Sequence, residues 1–231
     1  MICGTAVSIV EVGKQVSKKC GLPEAKITSW AAEDIGGGKG FLSVMARIQL
    51  TWTPSNQPCL PTSLVVKIPT MDKLSALKDM PMEFVDGIKQ QLHAMHNSEV
   101  SVYSMFARDP LCPVALAPVY GHRSMTEGQS GAYLIMDDLM VKGNIRNFMA
   151  AEFLSRKQAE QFTANLGRMH AWSTQHADWT RELVFGDLNK AFAQSANNSE
   201  TGIADLQSMY REERYRSLLT DDQLVKMANL K

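Results

Sequence analysis

The sequence predicts an α+β fold: an antiparallel sheet carrying one helix, followed by a mostly helical segment. Three observations predict it. Runs at 43–52 and 63–69 alternate with period two, as half-buried strands do. The stretch FVDGIKQQLHAMHNSEVSVYSMF places apolar residues at helical steps. Finally, the strand-like run GAYLIMDDL changes abruptly to charge at Met136-Asp137-Asp138-Leu139, and the pattern beyond it is helical. That switch divides the chain into a sheet-bearing part, 1–139, and a helical part, 140–231.

The bulk composition narrows the function classes. The chain has 231 residues, 45% apolar and 21% charged, as expected of a globular protein rather than a disordered one. Its 24 basic and 24 acidic residues cancel, so no global field invites nucleic acid or an anionic membrane. Cys3, Cys20, Cys59 and Cys112 form no CxxC pair and have no histidine at ligand spacing. They fit reduced thiols in a cytosolic protein better than a disulfide framework or zinc site. The short apolar run in MICGTAVSIVEVGK has no basic segment before it, which argues against a secretory signal. No apolar stretch approaches the roughly 18 residues of a membrane span. The expected localisation is cytoplasmic, with neither nucleic acid nor membrane as partner.

The glycines of DIGGGKGFLS, at 36, 37, 38 and 40, come next. After them Val44, Ala46, Ile48, Leu50 and Trp52 alternate with Ser43, Met45, Arg47, Gln49 and Thr51. A loop containing Pro54, Asn56, Pro58 and Pro61 leads to SLVVKIP, with Leu64, Val66 and Ile68 on one face and Val65 and Lys67 on the other. The glycines therefore precede a strand. A Walker-type loop and a dinucleotide fingerprint both require a helix there. One phosphate-binding geometry survives: a Gly-rich turn between two antiparallel strands, folded over a nucleotide, with a lysine on the following strand.

In the helix that follows, Leu92, Met95, Val102, Tyr103 and Phe106 form one stripe, and Glu99 falls seven residues from both Leu92 and Phe106. A carboxylate in an apolar stripe either reaches solvent at its edge or requires a cation. Lys67, just upstream, is the obvious cation, and kinases use such a lysine–glutamate pair to hold the phosphates of ATP. Two strand-like runs, VALAPVYG and GAYLIMDDL, come next. Beyond them Ser155 and Gln158 suggest a capping box, and Ala159, Phe162, Leu166 and Met169 a buried stripe. His170, one step on, reads as a helix-packing histidine.

In this order, GGGKGFLS, LVVKIP, HNSEVSVYSMF and LIMDDL resemble the choline/ecdysteroid kinase-like (CHK kinase-like) family, and most of all its large nematode branch. The likeness runs through roughly residues 25–175. It implies a protein-kinase-like bilobal fold: an N-lobe with an antiparallel sheet and one helix, then a helical C-lobe. It also implies transfer of a phosphoryl group from ATP, with Mg2+, to a hydroxyl of a small molecule. By this resemblance Gly36, Gly37, Gly38, Gly40, Phe41 and Ser43 would cover the phosphates, and Lys67 would contact them. Glu99 would orient Lys67, and Met136, Asp137, Asp138 and Leu139 would present the adenine hinge. Asp137 stands where the family more often has glutamate, a small departure because the backbone makes the adenine contacts.

The transfer residues have no counterpart here. The family pattern resembles HGDxxxxN followed by a second, metal-binding aspartate. After His176-Ala177-Asp178 the asparagine position holds Leu183, and after Phe185-Gly186-Asp187 it holds Phe192. Asp178 and Asp187 read as turn or cap residues, and no metal ligand or catalytic residue is assigned. The expectation is thus the N-terminal portion of a small-molecule kinase, its helical lobe incomplete and cut before the catalytic loop. The alternatives are a pseudokinase-like module that binds nucleotide or a protein partner, and an α+β binding protein in which DIGGGKGF is only a hairpin turn.

Overall fold

Ser8 opens the first helix. Its hydroxyl accepts the Glu11 N–H at 3.2 Å, and Val12 and Val16, one turn apart, bury one side of α1 (Ile9–Lys19). The computed structural model describes residues 1–36, 42–71, 82–109, 112, 114–126, 129–143 and 155–176. The chain divides into compact units Met1–Val184 and Phe185–Lys231, and every described residue belongs to the first.

Five strands follow α1: β1 (Lys26–Asp34), β2 (Ser43–Thr53), β3 (Ser63–Pro69), β4 (Val119–Arg123) and β5 (Tyr133–Asp137). They make one antiparallel sheet in the order β1-β2-β3-β5-β4. Helix α2 (Met82–Arg108) runs between β3 and β4, and a short α3 (Leu139–Lys142) follows β5. The α+β class and the antiparallel sheet are as expected. The sheet ends at Asp137 and helix resumes at Leu139, whereas the compact units divide after Val184.

The period-two pattern sorts side chains onto the two faces. On one face Val44, Ala46, Ile48, Leu50 and Trp52 of β2 and Leu64, Val66 and Ile68 of β3 join Tyr133 and Ile135 of β5. This main core is completed by Ile2, Val7, Val12 and Val16 from the N-terminal segment and α1. On the other face Val65, Leu134 and Met136 form a smaller cluster, with Met45, Tyr103 of α2, Ala117 and Val119 packed on it. Apolar burial of this kind stabilises by roughly 1.5–3 kcal/mol per fully buried large side chain.

The last described helix, α4 (Arg156–Gln175), begins with the expected capping box: Ser155 Oγ accepts the Gln158 N–H at 3.3 Å, and Gln158 Oε1 accepts the Ser155 N–H at 2.9 Å. Its expected buried stripe is a correction. Phe162 is 62% exposed and Leu166 38% exposed, and His170 is exposed rather than packed. The helix is held instead through its last turns. Trp172 is its buried residue, edge-on to Phe106 of α2 at 5.1 Å, with its indole N–H donating to Asp109 at 2.6 Å. An apolar period identifies a face that can be buried, and the packing of α4 uses a different one. The region beyond 176, including Asp178, Asp187 and the polar stretch from Gly186, lies outside the described residues.

Candidate functional site

Strand register places the site residues. Lys67 lies opposite Met45 of β2 and Leu134 of β5, and Val65 lies opposite Arg47 and Met136. Because side chains alternate across a strand, these residues share the face that meets α2. The β1–β2 hairpin closes at the same end of the sheet: Ser43 pairs with Pro69, and the Ile35 N–H donates to the Met45 carbonyl at 2.8 Å. The glycine-rich segment therefore connects two antiparallel strands, β1 and β2. Its entry is set by Asp34, whose carboxylate accepts the Gly36 N–H at 3.0 Å. Gly37, Gly38, Gly40 and Phe41 lie outside the described residues.

Lys67 Nζ donates to Glu99 Oε2 at 2.6 Å, and the two side chains are 30% and 28% exposed. Both alternatives for Glu99 thus hold in part, since it has its cation and it reaches solvent. The pair is a half-open charge cluster with its ammonium accessible to a further anion. Tyr103, one turn along the same helix face, has its phenol pKa raised by burial and by the Glu99 charge beside it.

Helix α2 reaches the sheet at this point because the two residues before Ser98 tie it to the strand end of β4. Asn97 donates to the Met125 carbonyl at 3.0 Å and accepts the Met125 N–H at 2.8 Å. His96, 3% exposed, bonds the Arg123 carbonyl through Nε2 at 3.0 Å. A carbonyl only accepts, so Nε2 carries the proton, and Nδ1 is a buried lone pair with no partner among the described residues. Burial lowers the His96 pKa. Among the other stripe residues, Leu92 is buried while Met95 lies on the exposed side.

The expected hinge is largely committed to internal bonds. The Asp137 N–H donates to the Pro118 carbonyl at 2.8 Å, and its carboxylate accepts from Tyr120 at 3.2 Å. Asp138, 2% exposed, caps α3 by accepting the Met140 N–H at 3.1 Å. It also accepts from Ser63 Oγ at 2.7 Å and Arg47 Nε at 2.9 Å. Burial alone would raise its pKa; the Ser63 and Met140 hydrogen bonds and the Arg47 guanidinium together outweigh this and hold it below the usual carboxylate range. The Asp137 N–H is consequently unavailable to an adenine edge. The Leu139 N–H, first in α3, has no intrahelical acceptor. Met136 lines the Lys67 face beside Val65.

Sequence reasoning missed Arg47, Ser63, His96 and Asn97, which brace the site without entering it. Only His96 and Asn97 carried a local signal, as polar residues three and two positions before the anomalous Glu99. Among the described residues no three His, Cys, Asp or Glu side chains gather to hold a metal ion. No described helix is long and apolar enough to cross a membrane.

Residues 2–224 match the model of the family DUF1679, whose description reads "Uncharacterized oxidoreductase dhs-27". No curated protein and no solved structure matches the chain.

Proposed function

The chain belongs to the DUF1679 family, and from that premise we propose that it is a CHK kinase-like protein whose sheet-bearing part binds ATP. One observation carries the reading: the 2.6 Å Lys67–Glu99 pair at the glycine-turn end of an antiparallel sheet. A lysine whose ammonium is aimed by a carboxylate, and still accessible, suits the α- and β-phosphates of a nucleotide. Val65 and Met136 form a buried apolar cluster on the same face, beneath the place a base would take. Gly36 and Ser43 flank the turn that would cover the phosphates, and the Leu139 N–H is the hinge donor. The fit to magnesium is poor among the described residues, and no step is assigned to it.

The activity assigned to residues 1–231 is nucleotide binding, because the transfer pattern has no match within them. In a phosphotransferase of this class the acceptor would be the hydroxyl of a small molecule. The oxidoreductase wording in the family's description belongs to the protein it names. A dinucleotide crevice opens at the ends of parallel strands, and the five strands described here are all antiparallel.

Thermal unfolding with and without magnesium–ATP tests the proposal. Ligand at 100 times its dissociation constant stabilises by about 2.7 kcal/mol, so the wild type should show a clear upward shift in Tm that Lys67→Ala lacks. No shift in the wild type, or an equal shift in Lys67→Ala, would overturn the assignment.

A further inference from the structure

Cys20 follows the last turn of α1, and Cys59 lies in the loop between β2 and β3. They meet across a sequence separation of 39, with Cys20 Sγ donating to the Cys59 carbonyl at 2.7 Å. Reciprocally, Cys59 Sγ approaches the Cys20 carbonyl at 3.8 Å. All four cysteines of the chain are free thiols. Cys112 is turned elsewhere, toward the Val114 carbonyl at 3.9 Å. Each sulfur thus sits against the other residue's main chain, which makes the two cysteines neighbours in space.

We propose that Cys20 and Cys59 form an oxidation site, closing a disulfide that staples the end of α1 to the β2–β3 loop. The roles of the two sulfurs follow from their surroundings. Cys59 is exposed. Burial, the hydrogen bond to Cys59 and the charge there push the Cys20 thiol up to about 11. Cys59 is therefore the attacking sulfur and Cys20 the resolving one.

With a small disulfide as oxidant, Cys59 loses its proton and attacks one sulfur, forming a mixed disulfide and releasing one small thiol. Cys20 then loses its proton, attacks Cys59 Sγ and releases the second small thiol. Two protein thiols give up two electrons and two protons, and one small disulfide becomes two thiols.

The staple borders the hinge. Tyr120, which donates to Asp137, has its pKa raised by burial, by Asp137 and by the nearby Cys20 and Cys59. The inference does not depend on nucleotide binding.

The test uses the full chain treated with glutathione disulfide, then alkylated and mapped by mass spectrometry. The expected result is loss of two of the four thiols with no retained glutathione. One cross-linked peptide should join Cys20 to Cys59, and Tm should rise by roughly 5–10 °C, reversed by dithiothreitol. Cys20→Ser should retain glutathione on Cys59, since the resolving sulfur is gone. A wild type that carries glutathione on Cys59 without the cross-link, or cross-links through Cys3 or Cys112, would overturn the proposal.

Discussion

Replacing Asp138 removes the buried carboxylate that joins β2, β3 and the start of α3. Three donors converge on it, Ser63 Oγ at 2.7 Å, Arg47 Nε at 2.9 Å and the Met140 N–H at 3.1 Å. Alanine removes the helix cap, a loss of about 1 kcal/mol. It also leaves the buried Ser63 hydroxyl without this acceptor, at a cost of roughly 1–3 kcal/mol. Arg47 keeps Glu33 at 3.1 Å, so its charge is not left unmatched. These effects overlap, and the expected loss for Asp138→Ala is about 2–4 kcal/mol. Asp138→Asn retains a cap and an acceptor but not the charge, and should lose roughly 1–2 kcal/mol.

Urea unfolding at several pH values is the assay. Because the folded pKa of Asp138 lies below its unfolded value, its contribution is complete above the unfolded value and is lost as pH falls through the folded one. The gap between wild type and Asp138→Asn should hold steady from about pH 7 to 5 and close below about pH 4. An Asp138→Ala protein within about 1 kcal/mol of wild type would refute the reasoning, as would a gap that persists in acid.

Three further outcomes are expected. Asn97→Ala breaks both bonds to Met125 and should destabilise by about 1–3 kcal/mol in urea, with faster hydrogen exchange around Glu99. His96 has a lowered folded pKa, so wild-type stability should fall as pH drops from about 6.5 through that value, a slope that His96→Gln should lack. Trp172→Ala should lose about 3–5 kcal/mol while Phe162→Ser stays within about 0.5 kcal/mol of wild type; the reverse order would mean that α4 packs through its central stripe.

The legible parts of the fold were those with one buried face. In β2 and β3 alternate residues enter the main core, so period two appears directly in the sequence. β1 is an edge strand whose residues are mostly exposed, and nothing apolar announced it except its place before the glycines. α1 was overlooked although Ser8 and Glu11 stand at capping-box spacing before Val12 and Val16. Glu99 was visible because a carboxylate breaks an apolar stripe, and the strand just upstream held its cation. Asp138 read as the end of a strand and, by resemblance, as part of the adenine hinge. Its anchoring role depends on Arg47 and Ser63, 91 and 75 residues away, which no local pattern connects. Phe162 and Leu166 mark the opposite limit, since periodicity predicts which residues align but not which neighbour covers them.

Calorimetric titration of magnesium–ATP into the wild type and Glu99→Gln tests the central claim most directly. In the free protein the pair is about one-third exposed, so the substitution should cost less than about 1 kcal/mol of stability. With phosphates over Lys67, loss of its orienting carboxylate should weaken binding by about 1–3 kcal/mol, or roughly 5- to 150-fold. The account predicts measurable binding by the wild type and that loss in Glu99→Gln with the fold intact. Equal affinity in the two proteins, or no binding by the wild type, would contradict it.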